Sequence, residues 1–241
     1  MKQGLFEIVS NREIARGSFE LTVKGDFGNI VPGQFVQISV PGYFLRRPFS
    51  VCDFTGDTLS VVYHISGQGT EALSRIGSGT LDMLVGLGNG YDMEKCGDKP
   101  LLISGGTGAT PVHFLAKAMH DKGIKAQVIM GFASEADVFC YDRICAMGHE
   151  VLLFTQDGST GRQGLVTDGM EGLEYSMIYS CGPMAMLRAI NGIAESLAQF
   201  SLEARMGCGI GACMGCTIET NKGAKRVCAD GPVFFGEDIR W

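Results

Sequence analysis

The chain has 241 residues, of which 45% are apolar, and carries a formal net charge of −6. This length accommodates two domains of ordinary size, and the acidic balance excludes the basic surface on which nucleic-acid binding depends. The apolar runs Pro100–Ser104 and Val151–Phe154 are too short to cross a bilayer, and Met1–Glu7 lacks the apolar core of a signal peptide. We therefore expect a cytoplasmic protein that binds neither nucleic acid nor a membrane.

The first segment, residues 1–97, alternates short β-type runs with turns rich in Gly, Asn and Asp. One helix is predicted, over Gly69–Ile76. The predicted strands are Leu5–Ser10, Phe19–Val23, Phe35–Val40, Phe49–Phe54, Leu59–Ile65 and Leu81–Leu87. Because six strands fall within fewer than a hundred residues, this segment is predicted to form a small antiparallel β-barrel.

Two stretches of this barrel combine groups that suit an anion and a planar ring. In Arg47-Pro48-Phe49-Ser50, the guanidinium can fork onto a phosphate, the ring can stack and the hydroxyl can hydrogen-bond. The turn Gly67-Gln68-Gly69-Thr70 follows a strand and opens a helix, where free N–H groups favour an anion. Two alternatives stay open: Arg46 and Arg47 as a surface pair, and Thr70 as an ordinary N-cap.

The second segment, residues 98–199, changes to strand–helix alternation. The predicted helices are Val112–Lys122 and Pro183–Leu197. The predicted strands are Leu101–Ser104, Ala126–Phe132, Val151–Thr155 and Met177–Ser180. This alternation predicts a parallel α/β sheet with helices on both faces.

Two turns at the carboxyl ends of these strands are candidate nucleotide sites. Gly105-Gly106-Thr107-Gly108-Ala109 follows the first strand, where the pyrophosphate of a dinucleotide binds, although it is not G-x-G-x-x-G. Cys181-Gly182-Pro183-Met184 follows the fourth strand and places a small polarisable thiol at the sheet edge, where a nicotinamide ring would lie. Tight packing and a buried structural cysteine are the respective alternatives. No histidine is locally paired with Cys181, so covalent catalysis by this thiol is not expected.

The C-terminal segment, residues 200–241, is organised around four cysteines. Cys208, Cys213 and Cys216 have the spacing C-x4-C-x2-C, and Cys228 follows after eleven more residues. This is the opening spacing of the plant-type [2Fe–2S] ligand set, and the interspersed glycines allow the backbone to fold tightly around it. Zinc and buried free thiols are the alternatives, although zinc usually takes C-x2-C pairs. The cysteines without ligand spacing are expected to be ordinary thiols: Cys52, Cys96, Cys140 and Cys145.

These motifs, in this order, resemble the ferredoxin–NADP reductase superfamily over essentially the whole chain. That superfamily holds FAD with an Arg-x-Tyr/Phe-Ser/Thr strand and a following glycine turn, and it holds pyridine nucleotide with G-G-x-G-x-x-P and C-G-P turns. The cluster segment, which continues into Asp230–Phe234, and the loop Leu87–Tyr91 look like those of class B dihydroorotate dehydrogenase electron-transfer subunits.

The resemblance implies FAD on the barrel, NAD on the α/β domain and a [2Fe–2S] cluster on the C-terminal segment. The implied FAD contacts are Arg47, Pro48, Phe49, Ser50, Tyr63, His64, Ile65, Gly67, Gln68, Gly69 and Thr70. The implied NAD contacts are Gly105, Gly106, Thr107, Gly108, Ala109, Cys181, Gly182, Pro183 and Met184. The implied cluster ligands are Cys208, Cys213, Cys216 and Cys228. No side chain is implied as a catalyst, because the hydride passes between nicotinamide and flavin.

The resemblance also implies a function and a partner. Electrons would pass between NAD+ and the FMN of a separate catalytic subunit that oxidises dihydroorotate to orotate, in a heterotetramer of two plus two subunits. The acidic stretch Gly131–Asp137 favours NAD, since the 2′-phosphate of NADP prefers an Arg. The alternatives are an NAD(P)H:ferredoxin or acceptor oxidoreductase subunit and, outside redox chemistry, a zinc-stabilised nucleotide-binding module.

Overall fold

The computed structural model describes residues 1–194 and 197–241. Residues 1–97 contain one α-helix, α1 (Gln68–Ser74). The strands of this segment are β1 (Lys2–Ala15), β2 (Ser18–Lys24), β3 (Phe35–Ile38), β4 (Arg47–Phe54), β5 (Thr58–His64) and β6 (Thr80–Leu87). They pair antiparallel and close into a barrel in the order β1–β2–β5–β4–β3–β6, which confirms the predicted barrel.

The barrel encloses its own apolar core. Along β6 every second residue from Leu81 to Leu87 is buried, as a strand with one inward face requires. Leu21 of β2, Ile38 of β3 and Met83 of β6 belong to this core and are fully buried. The outward-facing side chains of the same strands are therefore free to form binding surfaces.

Residues 98–194 alternate strands and helices. The helices are α2 (Ala109–Asp121), α3 (Tyr141–Ala146) and α4 (Met184–Ile193). The strands are β7 (Pro100–Gly105), β8 (Gln127–Phe132), β9 (Glu150–Thr155), β10 (Arg162–Gln163) and β11 (Met177–Cys181), all paired parallel. Short 3-10 helices lie at Met93–Lys95, Gly106–Gly108, Glu135–Asp137, Val166–Met170 and Gly236–Asp238. Among the described residues, no helix combines the length and apolar character needed to cross a bilayer.

Strand β7 shows why helices cover both faces of the sheet. Leu102 packs in one core with Val112 of α2, whereas Leu101 and Ile103 pack in another core with Leu187 of α4. Successive residues of a strand point to opposite faces, so an uninterrupted apolar run must be buried on both sides. The predicted parallel α/β sheet is confirmed.

The predicted helix Pro183–Leu197 is wrong at its C-terminal end. Helix α4 ends at Ile193, residues 195 and 196 lie outside the described residues, and strand β12 (Ala198–Ser201) follows Leu197. β12 pairs parallel with β11 and antiparallel with β15 (Val233–Phe235) from the C-terminal segment. The sheet order is therefore β10–β9–β8–β7–β11–β12–β15, and the expected boundary between residues 199 and 200 falls inside a strand.

The C-terminal segment is joined to the barrel as well as to the sheet. It contains the hairpin of β13 (Thr217–Thr220) and β14 (Gly223–Arg226) before β15. Asn89, in the loop after β6, donates from Nδ2 to the Val233 carbonyl at 2.8 Å and accepts the Val233 N–H at 2.9 Å. The Asn89 N–H also donates to the Gly231 carbonyl at 2.7 Å. We call these three hydrogen bonds the Asn89 clamp.

Ion pairs join the barrel to the α/β unit. Each pair links a barrel residue with a residue of the α/β unit. The N–O distances are 2.5 Å for Arg143–Glu20, 2.8 Å for Lys117–Asp53 and 2.7 Å for Arg16–Asp137. All three segments are therefore held together by specific polar contacts.

Candidate redox site

Arg47 and the glycine turn come together at the barrel surface. A Cβ on Gly69 would lie 2.6 Å from Arg47 Nε and 2.7 Å from Nη2, so only a glycine leaves room for the guanidinium there. Arg47 also lies over the Tyr43 ring, 5.1 Å from its centroid, and donates to the Leu45 carbonyl. The two stretches singled out for an anion thus form one surface.

Thr70 is not the N-cap of α1. Gly67 holds that position, and Thr70 lies three residues further on. Its Oγ1 accepts the N–H groups of Ser66 at 3.0 Å and Gly67 at 3.3 Å, and its hydroxyl donates to the Gly67 carbonyl at 3.0 Å. The hydroxyl therefore fixes the turn Gly67–Thr70, including Gln68, from within.

A cavity of about 450 Å³ lies in front of strand β4. Pro48, Phe49 and Ser50 line it from the barrel, Thr107 lines it from the α/β unit, and Met206 lines it from the C-terminal segment. Met206 precedes the first cluster cysteine by two residues. A planar ring in this cavity would therefore be enclosed by all three segments of the chain.

Tyr63, His64 and Ile65 lie in three different environments. Tyr63 is buried, its hydroxyl donates to Asn11 Oδ1 at 2.9 Å, and burial raises its pKa to about 12. His64 is exposed, with Nδ1 3.2 Å from Ser18 Oγ, and Ile65 is half-buried. Tyr63 and His64 both line the cavity, but the Tyr63 hydroxyl is already occupied.

The glycine turn after β7 packs directly on the end of β11. A Cβ on Gly108 would lie 2.0 Å from the Cys181 carbonyl oxygen, so no larger residue fits there. Gly106 has a φ of +54° and meets nothing within 4 Å at its Cβ position. Ala109 is fully buried at the start of α2. The turn is tightly packed on one side and open to a cleft on the other, so packing and binding are compatible here.

The turn after β11 closes the same cleft. Cys181 is buried, and burial raises the pKa of its thiol, so it stays protonated and unreactive. A Cβ on Gly182 would lie 3.0 Å from the Gly105 backbone nitrogen, which brings the two turns into contact. Pro183 lines a second cavity of about 460 Å³ together with Gly105, whereas Met184 is 49% exposed at the start of α4.

Backbone N–H groups surround the four cluster-segment sulfurs. Such donors stabilise thiolates and an anionic centre. The N to Sγ distances are 3.2 Å for Ala212 to Cys208, 3.3 Å for Cys213 to Cys208, 3.1 Å for Gly211 to Cys228, 3.4 Å for Cys228 to Cys216 and 3.5 Å for Gly215 to Cys213. The donor set fits a cluster bound by four thiolates.

The four thiols differ in burial and acidity. The N–H of Ile210, with help from neighbouring N–H groups, lowers the pKa of Cys208 to about 6, whereas burial raises that of Cys228 to about 12. Cys216 and Cys228 are buried and Cys213 is exposed. The site therefore has one half against the protein and one half towards solvent.

The sulfurs lie in two pairs rather than around one point. The Cys208 thiol interacts with that of Cys213, and the Cys228 thiol with that of Cys216. Within the described residues, no three of these four sulfurs lie within 4.8 Å of one another. A single zinc ion, about 2.3 Å from each sulfur, would need all four close together. Two pairs fit a two-iron centre better than a lone ion.

A second thiol group lies where the barrel meets α2. Cys52 Sγ is 3.8 Å from both Cys140 Sγ and His113 Nδ1, and all three residues are buried. The contact with Cys140 and burial raise the pKa of Cys52 well above its usual value, so its thiol stays protonated. No spacing signal could reveal it, because Cys52 is 61 and 88 residues from its partners in sequence.

Sequence reasoning also missed two residues that support the cluster loop. Arg226 donates from Nη1 to the Gly211 carbonyl at 2.9 Å and from Nε to Asp230 at 3.0 Å. Gln37 of β3 is buried against Gly209. Arg226 could have been found from the sequence, because it is a basic residue two positions before Cys228. Gln37 could not, because a single Gln in a barrel strand gives no signal.

Comparisons with known proteins identify two of the three segments. Residues 203–240 match the family described as the iron–sulfur cluster binding domain of dihydroorotate dehydrogenase B, and residues 102–192 match the oxidoreductase NAD-binding domain. These matches confirm the predicted iron–sulfur and NAD cofactors.

Solved structures confirm the predicted FAD-domain fold and the plan of the whole chain. The NADH-dependent reduced ferredoxin–NADP oxidoreductase matches with a TM-score of 0.89 and 27% identity, over 99% of this chain and 90% of that one. Phthalate dioxygenase reductase matches with a TM-score of 0.71 and 14% identity, over 91% and 87% of the two chains, which shows the fold alone. The chain is thus a redox-enzyme subunit of reductase fold.

Curated relatives match over nearly the full length. The electron transfer subunit of dihydroorotate dehydrogenase B (NAD+) from Caldanaerobacter subterraneus subsp. tengcongensis is 40% identical over 243 residues, which cover 96% of each chain. The subunit of the same name from Bacillus pumilus is 38% identical over 255 residues, covering 99% of this chain and 98% of that one. The chain therefore belongs to the family of dihydroorotate dehydrogenase B electron transfer subunits.

Proposed function

We propose that this subunit passes electrons between NAD+ and the FMN of a catalytic subunit that oxidises dihydroorotate to orotate. The observation that carries the proposal is the position of the four-thiol segment. Met206, just before Cys208, lines the same cavity as Phe49 and Ser50 of the barrel. The proposed electron path therefore runs from the FMN of the partner to the cluster, then to FAD and finally to NAD+. The last three sites all lie on this chain.

The barrel residues are proposed to hold FAD. When bound, FAD supplies the exchange between two-electron hydride transfer and one-electron transfer. Arg47, whose guanidinium lies against Gly69 of the turn Gly67–Thr70, would neutralise its pyrophosphate at that turn. Phe49 offers a face for stacking, and Ser50 offers a hydroxyl for hydrogen bonding.

The two sheet turns are proposed to hold NAD. Gly105–Ala109 would receive its pyrophosphate in the open side of the turn, and Cys181–Met184 would border the nicotinamide. Because Cys181 is buried and protonated, its proposed role is to shape the site without chemical reaction. The apolar second cavity between these turns leaves room for the rest of the nucleotide.

We propose a preference for NAD over NADP because acidic residues follow β8 and β9. Asp137 is engaged by Arg16 at 2.7 Å and by Ser134, so it is not the ribose contact. Glu135 and Asp157 are the exposed carboxylates at this edge. They would repel a 2′-phosphate, and a kcat/KM for NADPH equal to that for NADH would refute this assignment.

The exposed edge of the cluster is proposed as the side that meets the partner. Cys213 is exposed, and Ile210 and Met214 are 47% and 54% exposed beside it. Met206 instead packs inward at the cavity. The family name requires a catalytic partner subunit. We further propose that it carries FMN and that the complex is a two-plus-two heterotetramer in the cytoplasm.

A visible spectrum of anaerobically purified subunit, with iron and FAD content, tests the proposal directly. We expect bound FAD and iron, with both absorptions bleached by NADH, and no oxidation of dihydroorotate until the FMN subunit is added. Dihydroorotate oxidation by the isolated subunit would refute the proposal. A colourless protein containing zinc would instead support a nucleotide-binding module.

A second candidate is a subunit of an NAD(P)H:ferredoxin or acceptor oxidoreductase. The TM-score of 0.89 with the NADH-dependent reduced ferredoxin–NADP oxidoreductase favours it. Purification from cells distinguishes the two candidate functions. Tight co-purification with an FMN-containing dihydroorotate oxidase supports the first. Recovery without that partner, with rapid ferredoxin reduction, supports the second.

A further inference from the structure

Gln37 lies between the barrel strand that faces the flavin cavity and the cluster loop. It belongs to β3, opposite Pro48 of β4 in the strand register. Phe35, two residues earlier on the same face of β3, lines the cavity in front of β4. The Gln37 side chain is only 1% exposed, so the protein surrounds it completely.

The Gln37 amide rests directly on the cluster loop. A Cβ on Gly209 would lie 2.2 Å from Gln37 Nε2 and 2.7 Å from Oε1, so glycine is required for this contact. Gly209 has a φ of +68° and follows the ligand Cys208. The amide therefore lies against the residue that follows the first cysteine of the cluster segment, although 170 residues of chain lie between Gln37 and Cys208.

Neither polar atom of this amide has a partner. Gln37 Nε2 and Oε1 are both buried and make no hydrogen bond with the described residues. Buried amides in native proteins are almost always hydrogen-bonded, because burying one unpaired is unfavourable. An unpaired amide beside a cofactor site indicates that the cofactor supplies the missing partner.

We propose that Gln37 donates a hydrogen bond from Nε2 to a sulfur of the bound [2Fe–2S] cluster and thereby raises its reduction potential. The inference rests on the function proposed above. A cluster offers sulfur acceptors and no donors, and the Cys208 side already receives backbone N–H groups from its own loop. Donors to sulfur stabilise the reduced, more negative state and so raise the potential.

Gln37 is thus a positioning and tuning residue supplied by the barrel. It shares β3 with Phe35 of the flavin cavity, so one strand contacts the surroundings of both redox centres. Through this amide, the reduction potential of the cluster can be adjusted relative to that of the flavin without any change in the four cysteine ligands. The same amide also fixes where Gly209, and with it Cys208, can lie.

An EPR-monitored redox titration of the FAD- and iron-loaded protein tests the proposal with two variants. Gln37→Met keeps the length but removes the donor, and Gln37→Glu replaces the donor with a negative acceptor. We expect the cluster potential to become more negative in Gln37→Met and more negative still in Gln37→Glu, with the flavin potentials unchanged. Gln34→Met is the matched control, because the Gln34 amide already donates to the Gly88 carbonyl at 3.0 Å.

A second measurement needs no variant. Pulsed EPR of the reduced wild-type cluster, with glutamine side chains labelled with ¹⁵N, should show a coupled amide nitrogen. An uncoupled cluster, or equal cluster potentials in all the proteins, would overturn the proposal. A shift confined to the flavin would also overturn it, since the amide would then serve FAD. Wild-type protein without iron would overturn the proposed function itself.

Discussion

At the scale of single residues, spacing predicts ligands better than it predicts their surroundings. The interval from Cys208 to Cys216 indicates a cluster, but it does not indicate that Cys213 is exposed while Cys216 is buried. Exposure depends on which segment packs over each turn. For the same reason, the sequence predicts Arg47 as a phosphate ligand without indicating that its guanidinium packs against Gly69.

Replacing Cys213 with serine should remove the cluster and leave FAD bound. The serine hydroxyl is a poor ligand for iron, and Cys213 is exposed rather than part of a buried core. Iron analysis and FAD absorbance of the same sample measure both effects. Cys145→Ser, at a half-buried thiol outside the cluster, should retain iron. Loss of iron and FAD together would indicate that the cluster segment supports the whole protein.

Replacing Arg47 with alanine should weaken FAD binding about 10- to 100-fold, because a hydrogen bond to a charged group contributes about 1.5–3 kcal/mol. Titration of the apoprotein with FAD, followed by flavin fluorescence, measures the change. Arg46→Ala is the control, since Arg46 is paired with Asp82 at 2.5 Å. Equal losses in both variants would argue for a general effect of surface charge.

At the scale of elements, strands with a continuous apolar pattern can be predicted from the sequence. Strands that join two segments of the chain, such as β12, cannot. The run that forms β7 is apolar throughout, so its burial on both faces follows from the sequence. β12 was missed because it is only four residues long, begins directly after the predicted helix Pro183–Leu197 and contains the polar residues Gln199 and Ser201. Both are buried: Gln199 hydrogen-bonds with the Asp92 backbone, and β12 lies within the sheet between β11 and β15.

Replacing Asn89 with alanine should destabilise the joint between barrel and cluster segment by about 1–3 kcal/mol, because it leaves backbone groups of Val233 unpaired. Thermal unfolding measures the loss, and the rate of iron release to a chelator should rise. Asn221→Ala, which removes an exposed side-chain bond to the Glu237 carbonyl, should have a much smaller effect. Similar iron release from both variants would contradict a special role for the Asn89 clamp.

At the scale of the whole molecule, the order of domains can be predicted from motifs, but their contacts cannot. Gln37 and Gly209, or Cys52 and His113, meet only because the barrel, the sheet and the C-terminal segment dock together. No local sequence pattern predicts such contacts between distant segments. The three-part fold was therefore predictable, whereas the residues that couple its parts required the structure.

The pair between Glu20 and Arg143 should make domain docking sensitive to acid. Burial disfavours the charged form of Glu20, but its hydrogen bonds with Arg143 and Arg12 outweigh burial and lower its pKa below the usual 4.5. A lowered carboxyl pKa stabilises the folded state above pH 4.5, and this contribution is lost as pH falls through the folded pKa.

Thermal unfolding across this pH range tests the prediction with Glu20→Gln. The variant should have a lower Tm than the wild type at pH 7 and a flatter dependence on pH below 4.5. Asp26→Asn is the control, because Asp26 forms its ion pair with Lys2 at the surface. Parallel pH profiles for wild type and Glu20→Gln would show that this pair does not govern acid sensitivity.

The Asn89 clamp has a kinetic consequence. It ties the cluster segment to the barrel, and β15 ties the same segment to the sheet that carries the nucleotide turns. Electrons passing between flavin and cluster therefore need no swinging domain. Their transfer rate should be the same in buffer and in a viscous sucrose solution, and any slowing by sucrose should arise only where the partner subunit docks.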